Sequence, residues 1–191
     1  SVEFPGAKFE FISVENSAPG QSPTVTFSLE SKNGWLDANN MNRLRLAITG
    51  PNEDFSDYIQ ENVSNAVYLE DNTWAYTFAS TIPEDATGSY TVSVEGRANA
   101  TVNGDNERDV IQSSMMAFAV TDTAAVPRRV VVTDEKCESC HVNLSLHGGG
   151  RNEANYCISC HAPEATDWEE LQEGNPEQSI HFKYMIHSIH M

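Results

Sequence analysis

The chain has 191 residues, 39% of them hydrophobic, and a formal net charge of −17; that hydrophobic share supports a packed core and argues against global disorder. So acidic a balance argues against nucleic acid or an anionic membrane surface as partner, because phosphate binding needs concentrated Lys and Arg. No apolar run reaches the roughly 20 residues a spanning helix requires, and all six histidines and all four cysteines fall after residue 124, which predicts two domains, residues 1–125 and 126–191.

Along the first domain, apolar residues alternate at period two in the sets Val25, Phe27, Leu29; Leu44, Leu46, Ile48; Trp74, Tyr76, Phe78; Tyr90, Val92, Val94; and Met116, Phe118, Val120. Each set places apolar side chains on one face of a strand and polar ones on the other. Turn signals separate the sets at Pro19-Gly20, Asn33-Gly34, Gly50-Pro51, Asp71-Asn72, Thr87-Gly88 and Asn103-Gly104. Short strands at this spacing predict a mainly β, antiparallel sandwich or barrel and argue against a parallel α/β architecture.

The Asp-rich stretches GPNEDFSDY (50–58) and NGDNERD (103–109) offer oxygen ligands to a Ca2+ ion, though neither has a full ligand pattern and solvated turns explain both. Asn99 and Asn143 each head a short glycosylation acceptor pattern. Residues 122–136 then lead out of the β domain, with Val130 to Val132 expected as a last strand, and residues 137–174 read as short or irregular. A final helix is expected from Asn175 as cap, with Pro176 in its first turn and Gln178 as capping-box partner. Over residues 179–190 it sets Ile180, Tyr184 and His187 on one stripe and Phe182, Ile186 and Ile189 or His190 on the next. His187 and His190, three apart, leave that helix on neighbouring lines.

Every cysteine lies in CESCHVNLSLHGGGRNEANYCISCH (137–161), which holds two copies of Cys-x-x-Cys-His. The spacing of Cys137, Cys140, Cys157 and Cys160 also suits a four-cysteine zinc ribbon or two disulfides. Neither needs His141 and His161 directly after the pairs, whereas covalent haem attachment does. Two thiols add across the porphyrin vinyl groups, and the next residue offers a proximal imidazole to iron. Two haem c groups with two imidazoles each need four histidines, and His147, His181, His187 and His190 remain beyond the proximal pair. Gly148 to Gly150 after His147 would let a flat macrocycle approach the backbone. Iron held by two imidazoles has no open position, which leaves one-electron transfer as its chemistry rather than an enzymatic conversion.

The haem stretch, followed by SIHFKYMIHSIHM, resembles the first haem segment of the OmcA/MtrC family of bacterial outer-membrane decahaem cytochromes. Upstream, PGAKFEFISVEN, GPNEDFSDY, IPEDATGSYTVSVEGR and AAVPRRVVV resemble that family's strand-rich domain, so the likeness covers nearly the whole chain. The resemblance implies a Greek-key β-sandwich or split β-barrel beside a loop-rich multihaem segment. It also implies passage of respiratory electrons, at the outer-membrane surface or outside the cell, to metal oxides, flavins or other cytochromes. By position it makes His141 and His161 proximal ligands and His147, His187 and His190 distal ones. His181 stands where the family more often has an acidic residue.

Two haem motifs against about ten in the family, and Ser1 in place of an initiator Met, lead to the expectation of a fragment, or of an exported protein that assembles with other chains. The periplasm is the alternative location. Three distal candidates for two haems lead further to the expectation that one histidine ligates a haem whose cysteines lie outside residues 1–191, in a further haem segment or in another copy of this chain. Two other readings stay open: a multihaem reductase with one open iron, and a zinc-stabilised β binding module.

Overall fold

The computed structural model describes residue 4 and residues 6–142, 144–168 and 174–191; Ser1, Asn143 and part of the stretch 137–174 lie outside them. The chain runs through strands β1 (Lys8–Glu15), β2 (Thr24–Ser31), β3 (Gly34–Trp35), β4 (Arg43–Gly50), β5 (Asp57–Asn62), β6 (Val67–Tyr68), β7 (Thr73–Thr77), β8 (Ser89–Val102), β9 (Asp105–Val110) and β10 (Ser114–Ala119). Helices α1 (Asp134–Glu138), α2 (Ala154–Cys160) and α3 (Phe182–His190) follow.

Two sheets pack face to face. One has the order β1-β2-β7-β6, with β3 beside the end of β2; the other has the order β10-β8-β4-β5, with β9 beside the second half of β8. Every strand pairing among the described residues is antiparallel. The alternating sets behave as their pattern requires. Val25, Phe27 and Leu29 of β2 are wholly buried, as are Val92 and Val94 of β8, and the core they join lies entirely within residues 7–118.

The second sheet departs from simple alternation, because its outer face is buried too. Thr91, Ser93 and Glu95 of β8 and Ala47 and Thr49 of β4 point away from the core, yet all are buried. Asn52, in the loop after β4, accepts from the Thr91 hydroxyl at 2.7 Å, and the chain beyond β9 reaches Glu95 through Arg151 and Tyr156. Ser113 donates from its N–H to Asn152 Oδ1 at 2.7 Å, Asn152 Nδ2 donates to the Ile111 carbonyl at 3.1 Å, and α2 buries Ala154, Tyr156 and Ile158.

Three local expectations are corrected. Val130 to Val132 form no strand; Val130 and Val131 are about two-thirds exposed, at 64% and 65%, because no neighbouring strand offers them a ladder. The final helix starts at Phe182, after the His181 cap, and not at Asn175 and Pro176. Residues 178–180 are already engaged in extended pairing: the Gln178 N–H donates to Asp167 Oδ1 and the Ile180 N–H to the Ala165 carbonyl. Nor are the Asp-rich stretches cation loops. Asp54 pairs with Arg128, Asp57 accepts from the Tyr90 hydroxyl, and Asp109 accepts from the Ala7 N–H at 2.8 Å. Those carboxylates brace the first loop and the β9 edge.

Candidate metal centre

Each Cys-x-x-Cys-His motif closes a turn of helix on itself. In the first, the Cys140 and His141 N–H groups both donate to the Cys137 carbonyl, at 3.1 and 2.9 Å; in the second, at the end of α2, the His161 N–H donates to the Cys157 carbonyl at 2.9 Å. Residues three and four apart share one helix face. Each motif therefore gathers two thiols and one imidazole on a single face.

All four thiols are free, and among the described residues no three His, Cys, Asp or Glu side chains converge into a metal-holding group. This corrects the zinc-ribbon and disulfide readings: the two pairs sit on separate turns, each closed locally, and do not meet. Burial pushes the Cys157 thiol up to about 11 and raises Cys160 and Cys137 as well.

The histidines, in contrast, come together in pairs. The rings of His147 and His161 lie 6.2 Å apart between centroids and are inclined by 29°; those of His141 and His190 lie 5.9 Å apart and are nearly perpendicular, at 87°. Two imidazoles on opposite sides of one iron, each at a metal–nitrogen length of about 2 Å, place their ring centres roughly 6 Å apart. In each pair one ring is also oriented for the task. His161 Nδ1 donates to the Ile180 carbonyl and His190 Nδ1 to the Ile186 carbonyl, both at 2.8 Å. A carbonyl can only accept, so Nδ1 carries a proton, and Nε2 is the ring atom left to serve as a ligand. The donor set fits two haem irons.

Helix α3 links the pairs. The Phe182 N–H at its start donates to the His161 carbonyl at 3.0 Å, and His190 at its end faces His141. Nine residues of helix span about 13 Å, which sets the scale of the separation.

His147 occupies a turn closed by a two-way backbone pairing of Leu146 with Arg151, at 2.9 and 3.3 Å. His147, Gly148 and Gly149 all have positive φ, at 52°, 73° and 84°. Two of the three glycines are therefore explained by backbone conformation, and only Gly150, with open space where a Cβ would point, keeps the close-approach role expected from the sequence. Partial burial and the nearby Arg151 guanidinium shift the His147 imidazole downward from its ordinary value, which favours the neutral form. His187 is exposed on α3, with no hydrogen-bond or ring partner among the described residues, and His181 packs edge-on against Tyr184 at 5.3 Å.

Residues 129–191 match the family model for "Outer membrane cytochrome MtrC/MtrF-like, domains II/IV". The match makes this part of the chain similar to the OmcA/MtrC family. It is 29% identical to the multihaem cytochrome MtrC of Shewanella baltica OS185, in an alignment covering 52% of this chain and 19% of that protein. The crystal structure of MtrC from the same organism superposes with a TM-score of 0.64 at 20% identity, over 96% of this chain and 32% of that one. That of the outer membrane decahaem cytochrome OmcA gives 0.62 at 20% identity, over 97% and 33%. The structural likeness is one of fold, and the chain spans about a third of each of those OmcA/MtrC structures.

The sequence pattern missed four residues of the site. Glu95, Arg151, Tyr156 and Tyr58 all touch the haem-motif segment or hold it, through Arg151 Nε and Tyr156 Oη to Glu95 and Cys160 Sγ to Tyr58 Oη. Glu95 and Tyr58 sit at outer-face positions of strands, where periodicity alone predicts solvent, and nothing local marks them as contacts of a distant segment.

Proposed function

We propose that this chain is an electron-transfer segment of an exported multihaem cytochrome, carrying two covalently attached haem c groups and no catalytic residue. One is held by Cys157, Cys160 and His161 with His147 opposite, the other by Cys137, Cys140 and His141 with His190 opposite. The observation that carries this reading is the two imidazole pairs, with ring centroids 6.2 and 5.9 Å apart, each with one Nδ1 tied to a carbonyl. Haem iron bound this way supplies one-electron transfer and offers no position to a substrate, which argues against the open-site reductase.

The residues of this chain do the positioning. Helical turns present the thiols, the Leu146–Arg151 turn presents His147, and α3 keeps the two ligand pairs about one short helix apart. Exposed at the outer-membrane surface, such a segment passes electrons to further haems and onward to metal oxides, flavins or other cytochromes. His187, exposed and unpartnered among the described residues, is the ligand left for a haem whose cysteines lie outside residues 1–191.

Intact mass after denaturation tests the attachment: two haems above the polypeptide mass are expected, and an unmodified polypeptide overturns the proposal. The reduced protein should show a sharp low-spin α band. His147→Ala and His190→Ala should each turn one haem high-spin, while His187→Ala leaves both low-spin.

A further inference from the structure

Glu95 lies in the middle of β8 with no exposed surface, far from either haem motif in sequence. A carboxylate this deep needs compensating donors. Its Oε2 accepts from Arg151 Nε at 2.6 Å and from the Tyr156 hydroxyl at 3.3 Å, while Oε1 faces Arg45 at 3.4 Å and Arg43 at 3.8 Å. The two partners on Oε2 belong to opposite sides of one ligand pair. Arg151 closes the turn that carries His147, and Tyr156 directly precedes Cys157 in α2, five residues before His161.

From this arrangement we infer that Glu95 is a positioning residue for the His147–His161 pair, which makes the outer face of the β-sandwich a structural part of that haem centre. The inference rests on the axial assignment proposed above. His147 sits in a left-handed conformation, which a non-glycine residue holds only when its surroundings impose it. The imposing contact is the charged bond from Arg151 to Glu95, because it anchors that turn to a rigid strand through a buried carboxylate. Charge-assisted bonds of this kind are short and directional, and the mouth of the turn moves with them. Without the Glu95 charge, Arg43, Arg45 and Arg151 would converge as like charges in a partly buried space. Arg151 would then leave the sheet and take the His147 turn with it. The His141–His190 pair has no contact with Glu95 and would be unaffected.

The test is Glu95→Gln in the haem-loaded protein, which keeps the side-chain shape and removes the charge. Denatured mass should still show two haems. One of the two should become high-spin, its reduction potential should shift, and added imidazole should restore its low-spin signature. Arg151→Gln should do the same and decides the matter if Glu95→Gln does not accumulate. Glu61→Gln is the control, since Glu61 braces the other sheet through Tyr76, Ala79 and Ser80; it should lower stability and leave both haems low-spin. Folded Glu95→Gln or Arg151→Gln protein with two low-spin haems at unchanged potentials overturns the inference. Failure of the axial assignment itself would look different: His147→Ala would leave both haems low-spin.

Discussion

Phe27 shows how much single side chains contribute in the β domain. It is fully buried in β2, stacked on Phe9 at 4.7 Å between centroids, and paired in register with Trp74 of β7. Phe27→Ala should cost about 3–5 kcal/mol, since a buried aromatic leaves a cavity its neighbours cannot fill. Ile12→Ala, at a position 53% exposed, should stay within about 0.5 kcal/mol of wild type. Denaturant unfolding followed by circular dichroism checks both. Glu61 makes a pH-dependent contribution at the same scale. Burial works against its charge, but the Ala79 and Ser80 N–H groups and the Tyr76 hydroxyl outweigh burial and hold its carboxyl below its ordinary 4.5. A group with a depressed folded value stabilises above its unfolded value and loses that contribution as pH falls through the folded one. The stability difference between wild type and Glu61→Gln should therefore be full at neutral pH and shrink below pH 4.5, as measured by unfolding curves at successive pH values.

Among the elements, α3 has the widest reach, because its start is bonded to His161 and its end faces His141. Met185→Pro removes the N–H that donates to the His181 carbonyl at 3.0 Å and costs the helix about 3 kcal/mol. On the ligation proposed above, a haem at His141 should lose its His190 partner and turn high-spin, while Met185→Leu should leave both centres as they are; visible spectra of the two variants give the answer. The strand sets and most turns were legible because alternation and turn residues are local properties: Asn103 and Gly104, for example, join β8 to β9 with positive φ at both positions. Strand β1 carries no clean period-two signal, because a register shift between Phe11 and Ser13 breaks its alternation. The start of α3 was misplaced because the cap signals at Asn175 and Pro176 are overridden by pairing of residues 178–180 with 165–167, contacts that no local pattern encodes.

The whole molecule couples a β-sandwich with its own core to a segment that lies on one outer face of it. Because that core is confined to residues 7–118, residues 1–125 made alone should fold and unfold in a single cooperative transition. Their thermal midpoint should fall below that of the full chain, since buried Glu95 loses its bonds to Arg151 and Tyr156. A product without cooperative unfolding would mean the sandwich needs the segment in order to fold. The antiparallel β architecture and the two Cys-x-x-Cys-His motifs are legible in the residues alone, because side-chain alternation and helical i, i+3, i+4 spacing are set within a few residues. Which histidines come together, and the burial of Glu95, emerge from the folded chain. Those facts depend on contacts between residues 14 to 61 positions apart, as in His147 with His161 and Glu95 with Tyr156. Separations of that kind are settled by how the chain packs back on itself, and local periodicity carries no record of them.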